Sequence, residues 1–500
     1  MFIFDKQVIE RKKYDMNSDF CMKLVGSSSS PKVILDPISK HIILYVLYKI
    51  IVFATSSKMA IKLYLVLFAA NIMANVSHAT SAPRNIQISG QQFILSKSNE
   101  PIVMVGPNVV VKGPPYMPYV RGDTICNDVV NDECTVTGSC ISCDTFNQAD
   151  VDHMKSLGWN TIRLGVVWAG AQPRDEDSLD PEFLERLHAV LDLTDANEIH
   201  VILDNHGDMV GSAGCGNGAP MWFQKKAVPE LIGKQLVTHF PYNLLYPVEN
   251  LNGYDYCGSN ATMWEQYAGD PNYNIRNECC KKMNSNNPPE LGFTSISQKT
   301  MDYMVFDGPG RQDFVRFWKL MAEAVKEHPS AFAAELTNEP ITIRRREAYN
   351  TWRACAEAIH EVIPDMSVSI CDVGEGAVIP SWLIELGGGN IFIDADTEEW
   401  IKSSNNLFYA FHYYSQPKTP EMAVQNALAV QKDWDVPSFN TEFGSCEAWN
   451  DCADANISHT YWHYSSYCTT GPSFGDRKAP DETFGACILG WAGADSSKSC

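Results

Sequence analysis

With 500 residues, the chain could form two or three average domains or one large barrel domain. Its 60 acidic and 39 basic residues give a formal net charge of −21, which disfavours binding to nucleic-acid phosphates and to anionic membrane surfaces. Neutral partners such as sugars fit this charge better, and 12 tryptophans offer flat faces on which a sugar ring can stack.

The amino-terminal part carries two apolar stretches, 41–53 and 63–74, and both are short for a helix that crosses a bilayer. From Met59 onward a charged segment, an apolar segment and small residues before position 80 follow the order of a secretory signal peptide. We therefore predict a signal peptide over 59–79, an upstream extension over 1–58 that is absent from the mature protein, and secretion. The alternative is a membrane anchor built on 41–53, a run that Lys49 interrupts.

The cysteines agree with an oxidising compartment, because most of them lie in polar, loop-like stretches where secreted chains form disulfides. A cluster of three near the carboxyl end is included in this prediction: Cys446, Cys452 and Cys468. The pair Cys140 and Cys143 could alternatively hold zinc, but scattered loop cysteines favour disulfides. Cys371 lies inside an apolar run and is predicted to be a buried thiol. Acceptor sequences for N-glycosylation begin at Asn260 and Asn456.

After the signal, short apolar runs alternate with amphipathic runs, a pattern typical of a parallel sheet covered by helices. The predicted strands are 101–108, 160–164, 200–206, 331–339, 366–371, 407–414, 437–442 and 485–491. The predicted helices are 146–157, 181–197, 312–328, 345–363, 421–434 and 457–467, with a weaker one at 379–386. Eight strands in this α/β order predict a closed (β/α)₈ TIM barrel that occupies 85–500.

A long insertion interrupts this order between the third strand and the next helix, over residues 207–311. It is rich in glycine, asparagine, proline, tyrosine and cysteine, and it leaves the carboxyl end of its strand. Active sites of such barrels lie at that end, so the cysteine-containing insertion is predicted to wall the substrate cleft. It contains Met221, Trp222 and Trp264, whose directions the sequence leaves open.

Two glutamates stand at the carboxyl ends of predicted strands. Glu339 lies between Asn338 and Pro340, and Glu442 lies between a threonine and a phenylalanine, each after an apolar run. Retaining hydrolysis of a glycosidic bond needs two carboxyl groups about 5 Å apart, one protonated and one ionised. The pair therefore predicts a retaining glycosidase.

Other polar or aromatic side chains end the remaining predicted strands. Arg163 could hold an attacking carboxylate in its ionised form. His412 and Tyr414 alternate along one strand, so both side chains point to the same side. The last candidates are His206 at the end of the third strand, Asp208 just after it, and Trp491 at the end of the eighth.

This ordered set resembles family 5 of the glycoside hydrolases, in clan A. The resemblance rests on Arg163, His206, Asn338-Glu339-Pro340, His412-Tyr413-Tyr414, Glu442-Phe443-Gly444 and Trp491. It implies that Glu339 is the acid/base and Glu442 the nucleophile. It also implies supporting roles: Asn338 binds the hydroxyl next to the anomeric carbon, Arg163 and Tyr414 support Glu442, His412 neighbours Glu339, and His206 and Trp491 line the central subsite.

Within that family, the phrases 106–116, 163–168, 203–208 and 216–222 are similar to the endoglycoceramidase-like branch, whose members cut the bond between a sugar headgroup and ceramide. The resemblance adds Lys112 and Asp208 as substrate contacts. It implies a carbohydrate or glycolipid substrate, no metal and no cofactor. A monomer is predicted.

The predicted reaction follows from charge, because an ionised Glu442 paired with Arg163 favours a proton on the neighbouring Glu339. Two alternatives remain open on the sequence. One is an endo-β-1,4-glucanase or mannanase, whose cleft would present several exposed tryptophans in line. The other is a non-catalytic carbohydrate-binding barrel, which should have lost a carboxylate or its supports.

Overall fold

The computed structural model describes residues 81–111, 116–120, 146–208, 210–251, 254, 291–371, 383, 386–388, 393–414, 419–444, 448 and 450–462, and the backbone of 136–137, 140–141, 289–290, 446–447 and 449. The predicted signal peptide, the stretch 41–53, Lys112, Trp264, Cys468 and Trp491 lie outside these residues. Within them, no helix combines the length and the apolar character that crossing a membrane requires.

Eight parallel strands form a closed barrel, as predicted, in the order β3-β6-β7-β8-β9-β10-β11-β12. These strands are β3 (Val105–Val109), β6 (Thr161–Gly165), β7 (His200–Asp204), β8 (Ala331–Glu335), β9 (Ser367–Cys371), β10 (Leu407–Tyr413), β11 (Ser438–Phe443) and β12 (Ser458–Tyr461). Outside the barrel, β1 (Ile86–Ser89) pairs with β2 (Gln92–Leu95), and β4 (Val136–Thr137) pairs with β5 (Cys140–Ile141).

The helices of the described residues cover the strands, and several of them begin at a capping side chain. They are α1 (Gln148–Ser156), α2 (Trp168–Ala171), α3 (Pro181–Asn197), α4 (Met221–Ala227), α5 (Ser295–Val305), α6 (Pro309–Val325), α7 (Arg345–His360), α8 (Ala395–Ser403), α9 (Pro420–Trp434) and α10 (Cys446–Asp454). Asp180 caps α3 by accepting from the backbone of Glu182 and Phe183, and proline occupies the first turn. The predicted helix 379–386 lies largely outside the described residues, and α8 lies between β9 and β10.

The β1–β2 hairpin closes the amino-terminal end of the barrel. Phe93 contacts the rings of Phe332, Phe408 and Phe439 edge-on, with centroid distances of 5.7 to 6.2 Å. These three phenylalanines are second residues of β8, β10 and β11, so the hairpin plugs the end opposite to the predicted active site. Arg84, just before the hairpin, is buried and donates to backbone carbonyls that follow α6, including His328 O at 2.7 Å.

The predicted eighth strand was wrong, because the barrel closes with β12 and not with 485–491. The predicted helix 457–467 was also wrong, since β12 begins at Ser458 and the helix that precedes it is α10. Polar residues make up most of β12, which hides it from a search for apolar runs. The structure satisfies them inside the sheet: Met104 N donates to Ser458 Oγ at 3.0 Å, and Thr460 Oγ1 donates to Thr441 O at 2.6 Å.

The cysteine predictions met a mixed result. Cys371 is a buried thiol, as predicted, and its Sγ lies 3.3 Å from Ser369 Oγ. Cys452 is wrong as a disulfide candidate, because it lies on α10 as a buried free thiol, fully shielded from solvent. Cys215, in the insertion, is disulfide-bonded.

The start of the insertion folds back against the strand end it leaves. Gly207 lies so close to Gly218 that a Cβ on Gly207 would stand 3.2 Å from the Gly218 Cα. Trp222 faces the outside of the barrel wall, since its ring packs edge-on against Trp168 and lies under the Lys226 ammonium. The insertion therefore places Trp222 in packing and not in a sugar cleft.

Candidate active site

The two predicted catalytic glutamates lie close together at the carboxyl end of the barrel. Their carboxylate oxygens and a ring nitrogen of His412 lie within 4.8 Å of one another. That spacing is near the roughly 5 to 5.5 Å of retaining glycosidases and short of the roughly 6.5 to 9.5 Å of inverting ones. The pair therefore leaves no room between its carboxyl groups for the water that an inverting enzyme uses.

Glu442 is held by two donors. Arg163 Nη1 donates to Glu442 Oε2 at 2.9 Å, and the Tyr414 hydroxyl donates to Glu442 Oε1 in a short hydrogen bond. The Glu442 side chain is only 7% exposed. These contacts stabilise the ionised carboxylate and fix the direction of its oxygens.

Glu339 has a different environment. Its side chain is 29% exposed, and its Oε1 lies 3.0 Å from His412 Nδ1. Its backbone has a φ of +37°, a left-handed conformation that costs energy for a residue with a side chain. Strain of this kind is typical of functional positions, and here it turns the carboxyl toward the second glutamate.

Arg163 is the buried centre of the site. Its guanidinium makes a bidentate contact with Glu335, with Nε to Oε2 at 2.9 Å and Nη2 to Oε1 at 2.8 Å. Nη2 also lies 3.0 Å from Asp204 Oδ1. Burial alone would lower the pKa of Arg163, but Asp204, Glu335 and Glu442 raise it well above its ordinary value, so the group stays charged.

Two amides complete the contacts of Arg163. Its Nη1 donates to Asn108 Oδ1 and its Nη2 to Asn338 Oδ1, each at 2.8 Å. Asn338 is buried, and its Nδ2 has no hydrogen-bond partner within the described residues. A buried amide donor without a partner at the mouth of the barrel is suited to a substrate oxygen.

Burial and charge act in opposite directions on the site's ionisable groups. Burial raises the pKa of Glu335, but Arg163 and His412 outweigh it and bring that pKa to about 2. Burial lowers the pKa of His412, but Glu442, Glu335 and Glu339 outweigh it and raise that pKa well above its ordinary value. His412 is therefore a cation between carboxylates, and Glu335 is an anion.

His206 occupies the other side of the opening. Its Nδ1 lies 2.8 Å from Asp204 Oδ2, and its Nε2 lies 3.6 Å from Asp208 Oδ1. The ring stacks on Trp462 with a centroid distance of 5.1 Å and an angle of 13°. If Nδ1–H donates to Asp204, Nε2 is left to contact a substrate hydroxyl. His206 then offers a polar edge to the substrate, and Trp462 offers a flat face.

The same groups could in principle hold a metal ion. In the described part of the chain, Glu339, His412 and Glu442 are the one set of three with suitable donor atoms near each other. A metal there would face the Arg163 guanidinium, 2.9 Å from Glu442, and would compete with a proton on His412.

The comparison with known families agrees with this geometry. The family model described as Cellulase (glycosyl hydrolase family 5) matches residues 129–286 and 295–468, more than half of the chain. The chain belongs to glycosyl hydrolase family 5.

Several relatives of this family 5 hydrolase carry the name endoglycoceramidase. The protein from Hydra vulgaris is 25% identical over 239 residues, which are 47% of this chain and 36% of that protein. Endoglycoceramidase I from Rhodococcus hoagii is 38% identical over 79 residues, 16% of each chain. The chain thus spans little more than a third of the length of the Hydra vulgaris relative.

A solved structure is similar to this chain at low sequence identity. It is endo-glycoceramidase II from Rhodococcus sp. as a lactosyl-enzyme intermediate, with a TM-score of 0.45 and 16% identity over 77% of this chain and 76% of that chain. At that level of similarity it adds nothing to the conclusions drawn from the geometry.

The structure of this family 5 hydrolase brings most predicted site residues together. One hydrogen-bonded cluster contains Arg163, Asn338, Glu339, His412, Tyr414 and Glu442. His206 joins it through Asp204, and Asp208 lies beside His206. Lys112 and Trp491 lie outside the described residues, and the tryptophan next to the end of the eighth strand is Trp462 instead.

Three buried polar residues of this cluster were missed from the sequence. Glu335 and Asp204 are carboxylates at the ends of apolar strands, and Asp204 is two residues before His206, on the same face of its strand. Asn108 ends a predicted strand beside Arg163 in the register of β3 and β6. A buried arginine needs anionic partners, so a search for acids at the neighbouring strand ends could have found the first two.

Proposed function

We propose that this family 5 hydrolase is a retaining β-glycosidase that cleaves O-glycosyl bonds of β-linked glycolipids by double displacement. The observation that carries the reaction is the pair Glu339 and Glu442, with carboxylate oxygens within 4.8 Å of each other in opposite settings. Glu442 is buried and bound by two donors, whereas Glu339 is partly exposed beside His412.

The first step forms a covalent intermediate. Glu442 attacks the anomeric carbon while the Glu339 carboxyl gives its proton to the departing glycosidic oxygen. A bond from the anomeric carbon to Glu442 forms as the bond to the aglycone breaks. The unpaired Asn338 Nδ2 is placed to donate to a sugar oxygen next to that carbon.

The second step releases the sugar. Glu339, now ionised, takes a proton from water, and the hydroxide attacks the anomeric carbon and frees Glu442. Two inversions leave the product in the β configuration. Arg163 and Tyr414 stabilise the carboxylate that Glu442 regains at the end.

An apolar cavity beside Glu339 supports the glycolipid as substrate. Its apolar lining includes Trp168, Val210, Met301, Met304 and Ile341, and its polar lining consists of Asn205, Thr337, Asn338 and Glu339. Glu339 protonates the leaving group, so this cavity lies where the aglycone departs. An apolar aglycone fits such a wall better than a further sugar unit does.

The tryptophans of the described residues also favour a glycolipid over a polysaccharide as substrate. Among the described side chains, no tryptophan is among the large exposed apolar residues, and Trp168, Trp318 and Trp352 are buried. A polysaccharide cleft would present several of them in line. The names of the relatives from Hydra vulgaris and Rhodococcus hoagii are consistent with a glycolipid substrate. The non-catalytic alternative is disfavoured, because both carboxylates and their supports are in place.

The test compares the protein with its Glu442→Gln and Glu339→Gln variants on detergent-dispersed glucosylceramide and on soluble β-glucan and mannan oligosaccharides. Glu357→Gln is the matched control, since Glu357 is a surface glutamate paired with Arg353. We expect release of ceramide that Glu442→Gln abolishes and the control keeps. Cleavage of the oligosaccharides alone would overturn the glycolipid proposal.

Leaving-group dependence and stereochemistry separate the two glutamates. Glu339→Gln should slow the natural substrate much more than an aryl glycoside whose leaving group needs no proton. Equal slowing on both substrates would contradict the acid role. The first product, followed by NMR, should be the β anomer, and an α anomer would refute retention.

A further inference from the structure

A group of large apolar side chains is exposed on one part of the barrel's carboxyl-terminal rim. Within the described residues, Phe240 is 53% exposed and Leu244 is 52% exposed. The group, which we name the rim patch, consists of Val237, Phe240, Leu244, Leu245, Phe306 and Leu386. Exposed apolar clusters of this kind mark sites of contact with proteins or membranes.

The exposure of the rim patch is fixed by an ordered turn. Tyr242 is buried and stacks on Phe293 at 4.5 Å, and Tyr246 stacks on the same ring at 4.7 Å. Leu244 N donates to Pro241 O at 3.1 Å. Because the two tyrosines anchor the inner face of this turn, its outer face presents Phe240 and Leu244 to solvent.

The members of the patch are joined across the rim. Gly387, next to Leu386, lies against Pro241, since a Cβ there would stand 2.8 Å from the Pro241 Cδ. Arg344 Nη1 donates to Gly388 O at 2.6 Å, and the same guanidinium lies 5.5 Å above the Phe306 ring. The patch is therefore one surface and not scattered side chains.

The rim patch is continuous with the active site. Ile341 lines the apolar cavity beside Glu339, and it also packs against the cluster of Tyr242 and Phe293 that anchors the patch. Met301 and Met304 of α5 line the same cavity, and Phe306 directly follows that helix. Packed apolar side chains thus link the cavity beside Glu339 to the turn and the helix end that carry the rim patch.

We propose that the rim patch docks the protein on a neutral or zwitterionic lipid bilayer, so that a glycolipid headgroup enters the barrel while its lipid part stays near the membrane. The inference rests on the proposed glycolipid substrate. Apolar side chains of this size bury themselves at the boundary between headgroups and acyl chains.

Charge determines which lipid surface fits. The chain carries a net charge of −21, which repels an anionic bilayer. Among the described residues, Arg344 beside the patch is paired with Asp302 at 3.5 Å, and Lys299 is paired with Glu230 at 3.3 Å. These pairs offer no excess positive charge to phosphatidylserine, so the apolar side chains carry the binding.

Flotation with phosphatidylcholine vesicles tests the docking. We expect the protein to float with these vesicles. The double variant with Phe240→Ser and Leu244→Ser should bind them at least about tenfold more weakly. Met422→Ser is the matched control, because Met422 is 52% exposed on α9, outside the patch, and this variant should float like the unaltered protein. Circular dichroism checks that the variants fold.

Three results would overturn the docking proposal: no binding by the unaltered protein, equal binding by the double variant, or binding that requires phosphatidylserine. Self-association that the double variant abolishes, without vesicle binding, would assign the patch to a second copy of the chain instead. Detergent-dispersed glucosylceramide separates the two proposals. If the dispersed glucosylceramide is cleaved but the vesicles are not bound, only the docking proposal is refuted. If the glucosylceramide is not cleaved, the substrate proposal is refuted, and the flotation result still decides whether the protein docks on bilayers.

Discussion

Replacing Glu335 by glutamine tests whether this buried carboxylate organises the site. Glu335 binds Arg163 through both oxygens, and Arg163 and His412 hold its pKa at about 2 against an ordinary 4.5. A depressed carboxylate pKa stabilises the fold above pH 4.5, and this stabilisation is lost as the pH falls toward 2. The difference corresponds to about 3 kcal/mol at pH 7. Breaking a buried ion pair from one side costs a similar roughly 3 to 5 kcal/mol.

Catalysis should change as well, although Glu335 is buried and acts through its neighbours. Arg163 loses a bidentate partner, so its hold on Glu442 loosens, and kcat should fall by up to about a hundredfold. The hydrogen bond that His412 donates to Glu335 also helps to raise the pKa of His412, so in the variant His412 should lose its proton at lower pH and the pH–rate profile should change.

The assay is urea unfolding at pH 7 and pH 3.5 together with kcat/KM across pH. Glu357→Gln is the control, because it breaks an exposed Arg–Glu contact of 3.0 Å that is worth under about 1 kcal/mol. The destabilisation of Glu335→Gln should shrink at the lower pH, where the native carboxylate loses its advantage. A variant with native stability at pH 7 and a native pH–rate profile would refute the positioning role.

Three other perturbations probe separate parts of the molecule. Phe93→Ala should lower the free energy of unfolding by about 3 to 5 kcal/mol in urea titrations, because it leaves a cavity at the amino-terminal end of the barrel. It should not change kcat, because that end is far from the glutamates. A loss under about 1 kcal/mol would contradict the role of the β1–β2 hairpin in closing this end. Burial lowers the pKa of His200 from 6.5 to about 4. The neutral histidine therefore stabilises the fold above pH 6.5, and about 2 kcal/mol of the free energy of unfolding is lost by pH 5. In His200→Phe this free energy should depend less on pH between 7.5 and 5, and an unchanged pH dependence would refute this. Trp462→Ala should lower kcat/KM about tenfold by removing the face stacked on His206, whereas Trp400→Ala on α8 should not.

Much of the barrel could be predicted from the sequence because its strands are buried on both sides. β7 and β8 read as continuous apolar runs, and a carboxyl end followed by polar residues then marks the mouth of the barrel. Since parallel strands all end at the same edge, Arg163, Glu339 and Glu442 could be placed together although they are distant in the chain. The β1–β2 hairpin was missed because two four-residue strands are too short to give a clear periodic signal.

The contacts within the site were harder to predict than the set of residues that form it. Whether Glu335 faces the barrel interior depends on the register between β7 and β8, which pairs it with Asp204, and a sequence does not fix that register. The spacing of the two catalytic carboxyls depends on the positive φ of Glu339, a strained conformation that no local residue preference favours.

The eighth strand shows how polar side chains can conceal a buried element. An apolar run such as 485–491 is readily predicted as a strand, but burial in a barrel requires only that every polar group finds a partner. Ser458 and Thr460 find theirs in the backbone of the neighbouring strands, and Asn108 Nδ2 donates to Tyr461 O at 3.2 Å. Hydrogen bonding therefore lets a polar segment close the barrel. That closure carries Trp462 to the opening, where it stacks on His206, so the position of one strand decides which tryptophan lies beside this histidine.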